Sequence, residues 1–284
     1  MAEQPSARLD PTITDYYDRA PEESRLEQGA FRLEELRTRE LIEMHAPPPP
    51  ATVLDIGGAA GAYSFWLAEQ CYTVHLVDLT SRLVDEARRR NTRGLVSCHV
   101  GDARALPFAN ESAELVLLLG PLYHLVESED RHTALCEAAR VLRPGGVLIA
   151  AGISRWASLL DGLARDLLGE PDFASIVDRD LREGQHRNPT ERLDYFTTAY
   201  FHRPEELKAE VTGAGLAVEA LYGVEGPGWM LPDFAERWED PGRRAAILQA
   251  ARLLGTEPAV LGCSAHLLVV ARRLHNGVPT ERSS

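Results

Sequence analysis

The chain of 284 residues contains few cysteines and no long apolar run. Its four cysteines, Cys71, Cys98, Cys136 and Cys263, are scattered and form no C-x-x-C pair, so the sequence predicts neither a disulfide framework nor a metal site. No stretch approaches the roughly 18 apolar residues that a membrane helix needs, which disfavours a membrane partner. The N-terminal segment lacks the apolar region of a secretory signal, and we therefore expect a cytoplasmic protein.

Positive charge is also scarce, since the formal net charge is -13 at pH 7. Proteins that bind nucleic acid usually present a basic surface to the phosphates, so we predict no nucleic-acid partner. The stretch Glu86–Arg93 is locally basic, but cations at the end of a helix are also favoured by the helix dipole, and this second interpretation is preferred.

Alternating strand and helix patterns run from Thr52 to Gly152. Apolar, β-branched segments predict five strands, at Thr52–Gly57, Thr73–Leu79, Leu95–Ala103, Ala113–Gly120 and Val147–Gly152. Helical patterns lie between them, at Ala62–Gln70, Ser81–Arg90 and Arg131–Arg143. The repeated strand–helix order predicts an α/β fold with a doubly wound, mostly parallel sheet.

The flanking segments differ in character. Arg32–His45 is an amphipathic helix that the prolines of Ala46–Pro50 must end. After Gly152 about fifty residues carry mixed helical signals, followed by the helix Pro204–Leu216 and two further strands at 217–225 and 264–273. The predicted organisation is a lid of N-terminal helices (1–50), a nucleotide-binding core (51–152), a cap insertion (153–203), the remainder of the core sheet (204–274) and a flexible tail (275–284).

The turn after the first strand is rich in small residues. Its sequence fails the dinucleotide fingerprint G-x-G-x-x-G, because Ala59 and Ala62 occupy the second and third glycine positions when the count begins at Gly57. An NAD(P)-dependent oxidoreductase is therefore disfavoured. The pattern that is present, Asp55-x-Gly57-x-Ala59-x-Gly61, resembles the first motif of class I S-adenosylmethionine (SAM) dependent methyltransferases, with Ala59 in place of the middle glycine.

Three later motifs follow the same family in order. Asp78 ends the second strand, where a carboxylate can accept hydrogen bonds from ribose hydroxyls, although an Asp that caps the next helix is an equal alternative on that residue alone. Asp102 and Ala103 follow the third strand, where the family contacts the adenine. "LRPGG" precedes the fifth strand and has a structural role in the turn.

The resemblance implies a Rossmann-like sheet of seven strands with a terminal antiparallel strand, and SAM as cofactor with S-adenosyl-L-homocysteine (SAH) as product. It assigns cofactor binding to a set of strand-end and turn residues together with one lid residue: Tyr17, Asp55, Gly57, Gly58, Ala59, Gly61, Asp78, Leu79, Asp102, Ala103, Leu119 and Gly120.

In this family the loop after the fourth strand faces the transferring methyl. His124 in that loop is the candidate base for an acceptor hydroxyl, and a packed structural histidine is the alternative. The adjacent Tyr123 is predicted to shape the wall. Tyr16 and Tyr17 are candidates for a lid over the cofactor, and Arg25, Arg32 or Arg37 is a candidate for its carboxylate, with solvated helix charges as the alternative.

An aromatic stretch after the cap insertion suits the wall of an organic pocket. Tyr195, Tyr200 and His202 are predicted to line it together with their neighbours Phe196 and Phe201, and Trp229 is predicted to form a second edge. The sequence thus predicts methyl transfer from SAM to a small organic acceptor, by O- or N-methylation, in a monomer or homodimer. The alternative of a different class is a non-catalytic SAM-binding regulatory protein.

Overall fold

A computed structural model describes residues 11–19, 25–26 and 28–275. Its nine strands form a mixed sheet: β1 Thr52–Ile56, β2 Thr73–Asp78, β3 Val96–Val100, β4 Ala113–Leu118, β5 Leu142–Ser154, β6 Gln185–His186, β7 Ala199–His202, β8 Leu216–Gly223 and β9 His266–Arg273. Strands β3-β2-β1-β4-β5 are parallel neighbours in that order, and β9 continues the sheet antiparallel to both β5 and β8. The predicted doubly wound sheet with a terminal antiparallel strand is confirmed.

Eleven α-helices accompany the sheet in the described residues: α1 Pro11–Arg19, α2 Phe31–His45, α3 Ala62–Glu69, α4 Ser81–Arg90, α5 Pro121–His124, α6 Ser128–Val141, α7 Ala157–Ala164, α8 Pro171–Glu183, α9 Pro204–Gly213, α10 Phe234–Glu239 and α11 Pro241–Leu254. Residues 1–10, 20–24, 27 and 276–284 lie outside the described residues, and with them lie parts of the predicted lid and nearly all of the predicted tail. No helix in the described ranges combines the length and the apolar character that a membrane crossing requires.

Side-chain alternation in the central strands builds a core on each face of the sheet. Leu115 and Leu117 of β4 pack with α2, α3 and α4, whereas Val116 and Leu118 pack with α6 and α9. A strand that is apolar at every position is expected where helices cover both faces of a parallel sheet. The nearly continuous apolar pattern of β4 therefore has a direct structural cause.

Strand β5 begins earlier than its sequence pattern predicts. It runs from Leu142, and its pairing with β4 is irregular between Ala113 and Leu115, where the residues of "RPGG" are accommodated. The motif predicted as a turn into the fifth strand is thus an irregular first part of that strand. The left-handed φ of +81° at Gly145 explains why glycine occurs there.

The cap insertion places a short strand at the carboxyl end of β5. Ile153 of β5 pairs in parallel with Phe201 of β7 and antiparallel with His266 of β9, so β7 and β9 lie on opposite edges of β5. Because β4 occupies the edge of β5 opposite β9, β7 lies beyond the end of β4. This position brings the residues before β7 next to α5.

A second helical insertion lies between β8 and β9 and was not predicted from the sequence. It contains α10 and α11, whose Phe234, Trp238 and Ile247 bury Leu33 of α2. Its start signal is present in the sequence, since the Asp240 side chain accepts a hydrogen bond from the backbone N–H of Arg243 and a proline follows at the first helical position. The two insertions frame the same edge of the sheet.

Candidate functional site

A cavity of about 310 Å³ lies at the carboxyl ends of the parallel strands. Ligands in doubly wound folds bind at this edge, because helix N-termini and loops converge there. Its walls come from the ends of β1, β2, β4 and β5, from the beginning of β9, and from α1, α2, α3 and α5. The volume is near the lower end of the range of pockets that enclose a small organic ligand.

The turn after β1 is held against the neighbouring strand. The backbone N–H groups of Gly57 and Gly58 both donate to the carbonyl of Val77, at 2.7 and 3.3 Å. A Cβ on Gly57, whose φ is +76°, would lie 2.5 Å from Pro121 Cδ at the start of α5. Only glycine therefore permits this close approach of the turn to the loop after β4.

Ala59 adopts a left-handed backbone conformation with φ +46°. Its N–H donates to Asp78 Oδ2 at 2.9 Å, and the N–H of Thr80 donates to Oδ1 at 2.8 Å. Asp78 thus orders the turn in addition to facing the cavity. Burial raises its pKa, while these backbone bonds partly oppose that effect.

Asp55 is a buried carboxyl group at the end of β1. Ser64 of α3 donates to its Oδ2 at 2.6 Å, and a Cβ on Gly58 would lie 2.8 Å from the same oxygen. Burial raises the pKa of Asp55 to about 6, and the nearby Asp78 carboxylate acts in the same direction. The small residues of the turn therefore make room for a buried acidic group directly beneath it.

Asp102 lines the cavity but is already paired with a neighbouring side chain. Arg104 donates to both of its carboxylate oxygens through Nε and Nη2, and reaches Asp130 through Nη1 at 3.0 Å. A contact with adenine at this position would use the remaining lone pairs of Asp102.

The predicted cofactor residues come together in this cavity. Every one of them lines it except Gly61, which precedes α3 with φ +90°. The cradle fits an adenosyl ligand, because small residues approach it closely and two carboxylates, Asp78 and Asp102, lie on the same side.

His124 ends α5 and lies at the cavity wall next to Tyr123. Its Nε2 is 2.6 Å from the Tyr17 hydroxyl and its Nδ1 is 3.4 Å from the carbonyl of Thr198. Since a carbonyl can only accept, Nδ1 carries the proton and Nε2 accepts from the Tyr17 hydroxyl. Burial lowers the pKa of His124 to about 4, so the ring is neutral at physiological pH.

Helix α1 covers this part of the cavity. Ile13 and Tyr17 contribute to the cavity wall, and the carbonyl of Tyr17 accepts from Arg82 at the start of α4. The Thr12 hydroxyl bonds the Thr198 hydroxyl at 2.8 Å. The described part of the predicted lid thus spans from α4 to the segment before β7.

Tyr16, the other residue predicted to belong to the lid, makes a different contact from Tyr17. Tyr16 packs edge-on against Phe196 with ring centroids 5.4 Å apart and is not part of the cavity wall. It supports the lid from the outside, whereas Tyr17 faces the cavity.

Most of the predicted acceptor wall lies away from this cavity. The Tyr195 hydroxyl donates to Glu170 within the cap, and the Tyr200 ring stacks under the Arg131 guanidinium at 3.7 Å. His202 is buried against Glu210, at 3.2 Å. Trp229 donates from Nε1 to the carbonyl of Cys263 at 2.9 Å. Only Tyr123 of the predicted substrate residues lines the cavity. Partners in the cap, in α6 and α9 and near the start of β9 hold the others elsewhere.

The three candidate arginines diverge. Arg25 lines the cavity and donates to both carboxylate oxygens of Glu34 at 2.8 and 3.1 Å. Arg32 pairs with Glu239, and the buried Arg37 pairs with Glu40 and donates to the carbonyl of Val224. Of the three, only Arg25 lines the cavity, so it stays the candidate for the carboxylate of the cofactor.

A charged cluster at the far wall was missed by the sequence reasoning. His266 Nδ1 lies 2.6 Å from Glu225 Oε1 and 3.8 Å from Glu34 Oε2, and its ring lines the cavity. Glu34, Glu225 and His266 offer ligand atoms within 4.8 Å of one another, the spacing of a metal site. Arg25 is already bound to Glu34, however, and Ser264 donates to Glu225 at 2.5 Å.

Sheet order, turn and cavity define a Rossmann-like domain whose cavity fits an adenosyl ligand. Residues 54–150 match the family of the methyltransferase domain. The chain is 37% identical over 110 residues to a malonyl-[acyl-carrier protein] O-methyltransferase of Methylococcus capsulatus, covering 37% of this chain and 38% of that one. It is 30% identical over 131 residues to a ubiquinone/menaquinone biosynthesis C-methyltransferase of a Ruegeria species, covering 44% and 50%.

Among solved structures, a SAM-dependent methyltransferase from Methanosarcina mazei superposes with a TM-score of 0.57 at 20% identity, covering 82% of this chain and 97% of that one. Residues 54–150 therefore match a methyltransferase domain, and the fold is shared with SAM-dependent methyltransferases, whose cofactor is SAM and whose product is SAH. The chain spans about 38% and 50% of the length of the two curated relatives.

Proposed function

We propose that this chain transfers the methyl group of SAM to a small organic acceptor, with an oxygen or nitrogen atom as the favoured site of methylation. The observation that carries the proposal is the convergence of the predicted cofactor residues and His124 on one cavity. The two curated relatives methylate oxygen and carbon according to their names, so the acceptor atom rests on the site itself.

In this proposal the two ends of the cavity bind different parts of the reactants. Asp78 and Asp102 hold the nucleoside, and the turn Gly57–Gly61 admits the rest of the cofactor along the end of β1. When bound, SAM would supply a methyl group on a sulfonium sulfur, from which an in-line nucleophile takes the methyl carbon while SAH leaves as the neutral thioether. The chain must therefore align the acceptor near α5 and exclude water.

His124 and Tyr17 provide a path for the acceptor proton. As an acceptor O–H or N–H is methylated, its proton passes to the Tyr17 oxygen while the Tyr17 hydroxyl proton passes to His124 Nε2, which is the basic ring atom. Tyr17 ends neutral, and His124 ends as an imidazolium that later releases its proton to solvent. This dyad supports an O–H or N–H acceptor over a carbon acceptor.

A small acceptor is supported by the size and covering of the cavity. The cavity is small, at about 310 Å³, and α1 covers one side of it. A folded protein or a nucleic-acid strand would have to displace α1 to reach His124.

Calorimetry followed by a transfer assay tests the proposal. Wild-type protein is expected to bind SAH and not NAD, and Asp78→Ala is expected to weaken SAH about ten- to 100-fold, because buried partners lose their acceptor. Asp85→Ala serves as the control, since Asp85 is an exposed carboxylate of α4 outside the cavity wall. Methyl transfer from labelled SAM is then measured against small phenols, carboxylic acids and amines.

Binding of NAD without SAH would overturn the cofactor assignment. SAH binding without transfer to any acceptor class would favour the non-catalytic SAM-binding alternative.

A further inference from the structure

We propose that His266 is a carboxylate-binding residue at the far wall of this cavity, donating from Nε2 to an anionic oxygen of the bound ligand. The proposal rests on the proposed function, because it assigns a further contact within the same site. The carboxylate is either that of the aminoacyl arm of the cofactor or one carried by the acceptor, and the two sources are separable by experiment.

The imidazole is fixed from one side only. Nδ1 lies 2.6 Å from Glu225 Oε1, and the backbone N–H of His266 donates to Glu225 Oε2 at 3.0 Å. Glu225 Oε2 also accepts from Ser264 Oγ, and Glu225 is 2% exposed. The ring is thereby held rigidly at the point where β9 begins beside the end of β5.

The charges around the ring favour its protonated form. Glu225 and Glu34 face it from the segment after β8 and from α2, while Arg25 lies on the far side of Glu34. These two carboxylates raise the pKa of His266 to about 9 against the effects of burial and of Arg25. The ring is therefore an imidazolium at neutral pH, and both of its nitrogens carry hydrogens.

The second N–H of the ring is the part available to a ligand. No described residue accepts a hydrogen bond from Nε2, while the ring itself forms part of the cavity wall. A donor on a cation selects an oxygen acceptor, and a charge-assisted bond to a carboxylate is stronger than one to a neutral carbonyl. The site therefore suits a carboxylate.

A metal ion is the competing occupant of the same cluster. A cation there would face the imidazolium and the Arg25 guanidinium, and would have to displace the bonds that both make to the carboxylates. The two cations and two carboxylates already balance one another, so nothing in the cluster calls for additional positive charge.

His266 lies at the opposite end of the cavity from the nucleoside residues. Four strand spacings separate β2 from β9 through β1, β4 and β5, which is roughly 19 Å at about 4.8 Å per spacing. The intervening distance accommodates the nucleoside and the reacting centre. A carboxylate at His266 therefore belongs to the part of the ligands most remote from adenine.

Calorimetry with two cofactor fragments separates the sources. SAH carries the aminoacyl carboxylate, whereas methylthioadenosine has the same nucleoside and thioether without it. If the cofactor supplies the carboxylate, His266→Gln weakens SAH roughly tenfold or more and leaves methylthioadenosine unchanged. His132→Gln is the control, because His132 lies on the exposed face of α6.

If SAH affinity is unchanged in His266→Gln, benzoate is titrated into protein saturated with SAH. Weaker benzoate binding by roughly tenfold or more in the variant assigns the carboxylate to the acceptor. Glu225→Gln is a second variant that keeps the imidazole and removes its counter-charge, and it should weaken the same ligand. In wild type, the affinity for whichever of SAH and benzoate contacts His266 should also fall as pH rises through about 9. In His266→Gln that affinity should not change with pH in this range.

The proposal is overturned if neither SAH nor benzoate binding depends on His266, or if stoichiometric Zn²⁺ binding is lost in the variant. Failure of wild-type protein to bind SAH overturns the proposed function instead, which keeps the two failures distinct.

Discussion

The hydroxyl of Tyr17 lies 2.6 Å from Nε2 of His124, so one hydrogen bond joins helix α1 to the loop after β4. The two rings meet edge to face with centroids 5.2 Å apart. The opposite ring nitrogen of His124 faces the carbonyl of Thr198, in the segment before β7. Helix α1, the loop after β4 and the segment before β7 therefore meet at one imidazole.

Removing the Tyr17 hydroxyl should slow turnover. Tyr17→Phe removes the hydroxyl that carries the acceptor proton to His124 Nε2 in the proposed path, so it is expected to lower kcat roughly 100-fold or more, about as much as loss of the proposed base. His124→Ala removes the base and should cost roughly 100-fold or more. Steady-state kinetics with saturating SAM would measure both effects, and Tyr16→Phe is the matched control because Tyr16 packs on Phe196 outside the cavity wall.

The double variant distinguishes a shared path from two separate roles. Residues that act through one another give non-additive effects, so Tyr17→Phe should cost little in the His124→Ala background. Fully additive losses would contradict the proton path through Tyr17.

The pH dependence of turnover should reflect the lowered pKa of His124. A base is active in its neutral form, and burial places this pKa near 4. The acid limb of kcat is therefore expected near pH 4, with no decline around the ordinary histidine value of 6.5. A limb at 6.5 that disappears in His124→Asn would show that the ring titrates as an exposed histidine.

Replacing Ala59 with glycine should stabilise the fold. An L-residue in the left-handed region is penalised by roughly 1–2 kcal/mol, and glycine offsets part of that gain through its greater freedom in the unfolded chain. We expect Ala59→Gly to raise the free energy of unfolding by up to about 1 kcal/mol, measured by urea denaturation. Ala60→Gly is the control and should be destabilising, since Ala60 is buried with an ordinary φ.

The charged cluster at His266 should make stability fall in alkaline solution. The folded pKa of about 9 exceeds the unfolded value of 6.5, so the stabilisation is complete below pH 6.5 and is lost as pH rises through 9. The slope between these values is at most about 1.4 kcal/mol per pH unit. Urea unfolding at several pH values should show this decline in wild type and not in His266→Gln.

His45→Gln is the control for that measurement. Burial lowers the pKa of His45, so its contribution to the free energy of unfolding changes only below about pH 6.5. The decline of that free energy at alkaline pH should therefore persist in His45→Gln. If the free energy of unfolding of His266→Gln falls with pH as steeply as that of wild type, the decline does not come from His266.

The nucleoside side of the site could be predicted from the sequence because its residues follow strand ends. Asp55, Asp78 and Asp102 each end or follow a parallel strand, and parallel strands deliver their carboxyl ends to one edge of the sheet. Local pattern and motif spacing therefore predicted the central parallel sheet and the position of these three carboxyl groups at one edge of it, but not the insertion that contains α10 and α11.

The opposite wall could not be predicted in the same way. Tyr200 and His202 lie on one short strand, but Arg131 and Glu210 hold them away from the cavity, and no local pattern encodes those partners. Glu34 and His266 come together only because β9 inserts beside β5. Helix α11 is different, because its Asp–Pro start signal is visible in the sequence.

The cavity draws its two halves from the chain in different ways. Its nucleoside wall comes from residues 55–103. The wall around His124 and His266 combines described residues of α1 and α2 with the loop after β4 and α5, Ala151, Val224 and the start of β9. Under the proposed function, a descendant of this protein can exchange one methyl acceptor for another by altering lid and insertions alone. The inherited cofactor cradle then stays intact while the chemistry it serves diversifies.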